Sequence, residues 1–117
     1  MLGNLKTQLH DSSISTTGDK VNISLTNGDV YHFLSSVCYI DASGRSFSAK
    51  WHVANSGGGT ILCLSVNVQA GGGGGVGYNH QLVGHLAGAS ESLRFSVSEI
   101  SAAAMVEASC SYTEHAP

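Results

Sequence analysis

Two runs in the middle of the chain alternate strictly between apolar and polar side chains. They are Phe47, Ala49, Trp51 and Val53, then Leu62, Leu64, Val66 and Val68. A period of two is that of a half-buried strand. Between the runs, Asn55-Ser56-Gly57-Gly58-Gly59 permits a tight reversal. The pattern predicts an antiparallel hairpin facing a core.

The flanking segments carry the same period. Val21, Ile23 and Leu25 alternate with Asn22, Ser24 and Thr26, and then comes Asn27-Gly28. That dipeptide is a strong hairpin signal because both residues tolerate positive φ. With Thr26 opposite Asp29, Leu25 faces Val30 and Val21 faces Leu34. Residues 30–40 are apolar on both faces, with Val30 and Leu34 on one and Tyr31, Phe33, Val37 and Tyr39 on the other. Such a strand is either covered on both sides or presents a contact surface. Asp41-Ala42-Ser43-Gly44 turns the chain into the 47–53 strand.

Residues 78–89 read as an extended segment or short strand. Residues 92–99 place Leu93, Phe95 and Val97 inward. Residues 101–112 contain Ala102-Ala103-Ala104-Met105, which favours a helix by propensity, but the alternation from Ala104 to Tyr112 predicts a strand. It is expected to pair with 92–99, leaving Glu99 and Glu107 to solvent. Residues 1–18 lack a clear pattern and read as an N-terminal arm, loose or docked on a neighbouring subunit. Residues 19–117 then form one antiparallel, all-β sandwich of jelly-roll type with about seven strands. The single proline, at position 117, interrupts none of them.

Composition narrows the function. A chain of 117 residues has room for one domain. Charged residues are only 11% of it, less than half the usual share. The surface must be covered by Ser, Thr, Asn, Gly and His, or be buried against something. Five Lys plus Arg, scattered, and a net charge of -3 give no footprint for nucleic acid or anionic membrane. No apolar run is long enough to span a bilayer as a helix. The start, MLGNLKTQLHDSS, does not read as a secretory signal. Cys38, Cys63 and Cys110 each fall in an expected strand. They read as small buried hydrophobes in a reducing compartment, or as one inter-sheet disulfide plus a free thiol.

Catalytic signatures are weak. Gly72-x-Gly74-x-x-Gly77 matches the dinucleotide fingerprint, but five consecutive glycines satisfy that pattern by chance and no good helix follows. Six histidines include no His-x-His or His-x-x-x-His pair, so neither a metal site nor any other cofactor is assigned. No Gly-x-Ser-x-Gly elbow supports a hydrolase. The glutamates at 91, 99, 107 and 114 have the spacing of solvated strand faces rather than of a glycosidase pair.

The expectation is a non-enzymatic, self-assembling structural subunit, most naturally of a virus particle: a coat, head-decoration or tail-fibre module on a virion or extracellular surface. Its contacts between copies are expected at Tyr31, Phe33, Val37 and Tyr39, and at the glycine run Gly71, Gly72, Gly73, Gly74 and Gly75, where backbones approach closely. Closed symmetric association is the default form, and a trimer is typical of fibre tips. The competing expectation is a lectin-like module that binds a glycan through Asp41, Asn55, Tyr78, Asn79 and His80.

Overall fold

A computed structural model describes residues 4–41, 44–70 and 75–117. Among the described residues it has nine strands and no helix. They are β1 (Lys6–Ile14), β2 (Gly18–Ser24), β3 (Val30–Asp41), β4 (Ser46–Ala54), β5 (Thr60–Ala70), β6 (Gly75–Asn79), β7 (Val83–Leu86), β8 (Ser92–Ile100) and β9 (Ala104–His115). A front sheet runs β1-β9-β3-β6, with β7 also on β3, and a back sheet runs β2-β8-β4-β5. All pairings are antiparallel.

Consecutive strands alternate between the sheets, with two exceptions. β4 and β5 form the expected hairpin, and β6 and β7 lie end to end along β3. Counting β6 and β7 as one interrupted strand gives eight strands wound as a jelly roll. Between the sheets lies one apolar layer built on Tyr31, Phe33, Ile40, Phe47, Trp51, Val53, Leu93, Phe95 and Val106. Trp51 is fully buried and spends its indole N–H on the Val37 carbonyl at 2.9 Å.

Bulges decide which half of each long strand faces this layer. Opposite β9, Phe33 pairs Tyr112 and Ser35 pairs Ser111, so Leu34 is an extra residue. Such an insertion switches the side-chain phase. Tyr31 and Phe33 point inward before it, and Ser36, Cys38 and Ile40 after it. The expectation that Tyr31, Phe33, Val37 and Tyr39 share one face is therefore corrected. Tyr31 and Phe33 are 1% and 2% exposed inside their own chain and are not available to a neighbour, whereas Tyr39 is 40% exposed. β5 carries two extra residues opposite β4, Ile61 and then Leu64. The latter turns Ser65 and Asn67 inward and leaves Val66 and Val68 52% and 65% exposed, against the expectation for the second run.

Three pairings differ from expectation because tertiary contacts outweigh local signals. Residues 6–14 are not a free arm but edge strand β1 on β9. Only Ile14 of that strand is fully buried, so backbone bonds rather than an apolar stripe hold it, and periodicity could not reveal it. The turn at Asn27-Gly28 forms, with Asp29 N–H on the Thr26 carbonyl at 3.1 Å, but it does not make a hairpin. Leu25 and Gly28 donate to Glu91 and Ala87 of the β7–β8 link, and β2 pairs β8 while β3 enters the other sheet. Likewise 101–103 is a crossing link, so β9 lies between β1 and β3 rather than beside β8.

The β5–β6 side of the roll is closed by glycine and amide groups. The Asn67 amide donates to the carbonyls of Cys38 (3.1 Å) and Gly75 (3.4 Å), and Asn79 donates to that of Leu64 (2.8 Å). A Cβ on Gly77 would overlap the Val66 carbonyl oxygen, and one on Gly75 the Gln69 side chain. Close approach, expected of Gly75 toward another copy, is thus made within the chain. Gly71, Gly72, Gly73 and Gly74, also expected at that contact, lie outside the described residues.

Gly77→Ala is expected to cost roughly 1–3 kcal/mol in urea denaturation, the usual range for overpacking. Gly84→Ala, with open space at its Cβ position, is expected to be nearly neutral. All three cysteines are free; Cys38 and Cys110 are buried and Cys63 is exposed, correcting the expectation that all three are sealed. Burial pushes the Cys38 and Cys110 thiols up to about 12. A thiol reagent should therefore titrate one cysteine in the native protein and three in denaturant.

Candidate functional site

Every strand of the back sheet contributes to one chain of hydrogen bonds on its outer face. Lys50 Nζ lies 2.6 Å from Thr60 Oγ1, which is 2.9 Å from His52 Nδ1. His52 Nε2 is 2.8 Å from Ser96 Oγ, and that hydroxyl is 2.5 Å from Asp19 Oδ1. Arg94 Nη1 completes the run at 2.9 Å from Asp19 Oδ2.

The end groups fix the direction of each proton. A carboxylate only accepts, so Ser96 donates to Asp19, and His52 Nε2–H must donate to Ser96. An ammonium only donates, so Thr60 accepts from Lys50 and gives its own proton to His52 Nδ1. The ring is held neutral. Burial pushes its pKa down to about 4, and Lys50 acts in the same direction. Although Ser, His and Asp meet here, their order is wrong for a nucleophile. A hydrolytic histidine takes the serine proton and is itself oriented by the carboxylate. Here the ring donates to the serine, whose proton already sits on the carboxylate.

A second network closes one end of the front sheet. Glu114 accepts from Lys6 Nζ at 2.9 Å and from the Tyr31 hydroxyl at 2.9 Å. The Lys6 hydrogen bond is the main reason Glu114 is held at about 2, with burial opposing it. Nearby, His32 and His115 face each other with their Nε2 atoms 3.0 Å apart. His115 Nδ1 is 2.8 Å from the Ala116 carbonyl, which only accepts, so that nitrogen carries a proton. No group of three or more metal-ligating side chains occurs among the described residues.

The residues expected to bind a glycan do not converge. Asn55 Oδ1 accepts from the N–H groups of Gly57 and Gly59, both at 3.0 Å, and shapes the β4–β5 turn. Asp41 ends β3, just before β4 begins, while Asn55 follows the end of β4. A nine-residue strand separates the two loops, roughly 27 Å at ~3.3 Å per residue. The Asn79 amide is spent on Leu64, and its oxygen accepts from Gln81 N–H at 2.9 Å. Tyr78 and His80 remain on the surface, with ring centroids 5.1 Å apart.

The outer face of the front sheet holds what remains of the expected contact set. Paired residues share a face, and register places Leu9, Ser109, Val37 and Tyr78 in one row across four strands. The next row contains Asp11, Glu107 and Tyr39, followed by Ser13 and Met105. Leu9 and Tyr78 are 63% and 64% exposed, and Met105 is also exposed. Serines between them keep the surface low. Leu9 and Met105 were missed at the sequence level because neither lies in a two-sided run. The only available signal was the pairing of the two end strands, which alternation within one segment does not encode.

A scan against protein-family models gives no match, and searches of curated proteins and of solved structures give none either.

The two depressed groups define two acid transitions. In the unfolded chain His52 protonates near its ordinary 6.5, while in the folded chain it does so only near 4. Its stabilising contribution is complete above pH 6.5 and declines as pH falls from there to 4. Glu114 acts later, from its ordinary 4.5 down to about 2. Urea midpoints measured against pH should fall in both windows. His52→Gln should flatten the upper one alone, and Glu114→Gln the lower.

Proposed function

We propose that this protein is a non-enzymatic structural subunit that assembles with copies of itself, most naturally as a coat, head-decoration or fibre component of a virus particle. The observation that carries this reading is the outer face of the front sheet. Leu9, Val37, Tyr39, Tyr78 and Met105 lie on it with serines in between, and Asp11 and Glu107 add carboxylates to it. Exposed apolar side chains gathered on one sheet face, with polar groups around them, favour an interaction site. Low overall charge adds support, since apolar contacts between copies need area rather than ions. The jelly-roll architecture recurs in viral coats and also in lectins. The directed hydrogen-bond chain around His52 supports the non-enzymatic part, because it leaves its serine without a base.

The glycan-binding alternative keeps Tyr78 and His80 and has its two asparagine amides committed to the fold. Sedimentation of the purified protein at micromolar concentration is expected to give a whole multiple of the 12.0 kDa chain, with a closed ring such as a trimer the default form. Val37→Asp, in the centre of the face, should shift that mass to the monomer while leaving the circular dichroism spectrum unchanged. A monomeric wild-type protein with saturable glycan binding, lost in Tyr78→Ala, would favour the alternative instead.

A further inference from the structure

Four segments of the chain meet beside the β4–β5 turn and line an open cleft of about 370 Å³. Register sets Asn22 of β2 beside Arg94 of β8, and Ser24 beside Ser92. The β4–β5 turn contributes Ser56, and the β7–β8 link contributes Ser90 and Glu91. The lining is held in place from behind. The Asn55 side chain braces the turn that carries Ser56. That turn runs close to β8, since a Cβ on Gly58 would stand 3.2 Å from Arg94 Nη1. Leu25 N–H donates to the Glu91 carbonyl at 2.9 Å and ties the β7–β8 link to the end of β2.

Much of the polar lining is unspent. Among the described residues, the side chains of Asn22, Ser24, Ser56 and Ser90 hydrogen-bond to no protein group. Arg94 gives Nε to Ser92 at 2.8 Å and Nη1 to Asp19 at 2.9 Å, which leaves Nη2. Glu91 Oε1 accepts from His85 Nε2 at 2.6 Å, which leaves Oε2. Ser90 is also the one non-glycine residue with a positive φ among those described, at 60°. Glycine would adopt that backbone without strain, yet a hydroxyl stands there.

The charges around the cleft select a class of ligand. A cation would meet the Arg94 guanidinium. An anion would meet Glu91, and Arg94 is already neutralised by Asp19. A neutral molecule with several hydroxyls suits both groups, because a hydroxyl accepts from a guanidinium and donates to a carboxylate. The serines and the Asn22 amide match either role. Leu25, the apolar residue of the lining, offers contact to ring carbons. The volume lies near the lower end of ligand sites, roughly 300–1,000 Å³, so the ligand is small.

We propose that this cleft binds a neutral saccharide through Asn22, Ser24, Ser56, Ser90 and Arg94. The site is built on the back sheet, whereas Tyr78 belongs to the front sheet, and it does not depend on assembly between copies.

Titration of the isotope-labelled protein with the methyl glycosides of glucose, galactose and mannose tests the proposal, read by amide chemical shifts. At least one glycoside is expected to shift the amides of Ser24, Ser56 and Ser90 saturably in the millimolar range. Ser90→Gly removes the hydroxyl and relieves the backbone. It should fold about as stably as the wild type in urea and bind about tenfold more weakly, the scale of one lost hydrogen bond. Ser56→Ala, on an exposed turn, should weaken binding by a similar factor, and Tyr78→Ala should leave it unchanged. Glucuronate, a charged counterpart of glucose, should bind more weakly than methyl glucoside. No saturable shift with any of the three glycosides would overturn the site. Binding that Tyr78→Ala abolishes and Ser90→Gly spares would do the same, and tighter binding of glucuronate would overturn the neutral class of ligand.

Discussion

Two sheets share one apolar layer, and each long strand can satisfy that layer with only one of its faces at a time. β3 and β5 do not keep a single phase along their length. The extra residues at Leu34 and Leu64 let each strand change face midway. At the first, the aromatic pair Tyr31 and Phe33 gives way to the smaller Cys38 and Ile40. At the second, aliphatic packing gives way to the amide of Asn67. The inward sets of β3 and β5, and the outward set Val37, Tyr39, Val66 and Val68, follow from where these two insertions fall.

Inward amides are tolerated at the β5–β6 side because each has a defined partner. A buried amide without one would cost more than the packing returns. Asn67 and Asn79 instead tie strands of opposite sheets, where the glycines at 75 and 77 let backbones approach. The opposite end is tied by ions, through Lys6, Glu114 and Tyr31. The roll is thus held by a dry middle and polar clasps at its margins.

The same insertions give the molecule two unlike faces. Turning Val66 and Val68 outward places aliphatic groups beside Lys50, and turning Val37 and Tyr39 outward places them beside Glu107. The back face is crossed by a saturated hydrogen-bond chain that fixes side chains in place. The front face has serines and apolar groups with few bonds among them.

Alternation within each segment determined β2, β3, β4, β5, β8 and β9, the β4–β5 hairpin, the inward set Leu93, Phe95 and Val97, and the all-β sandwich itself. Local periodicity carries that information because each side chain's face depends on its immediate neighbours. Even the contested segment after residue 101 obeyed its alternation over its helix propensity. The partners of each strand were decided only in three dimensions. Asn27-Gly28 specifies a reversal but not the sheet that the chain enters next, and β1 has almost no apolar face to announce it. The phase of β3 and β5 was equally hidden, since a bulge is defined by the register of the strand opposite. The expected contact set therefore split, with Tyr31 and Phe33 drawn into the core while Val37 and Tyr39 kept to the surface. A single inserted residue reverses every side chain beyond it, and only the partner strand fixes where that insertion lies.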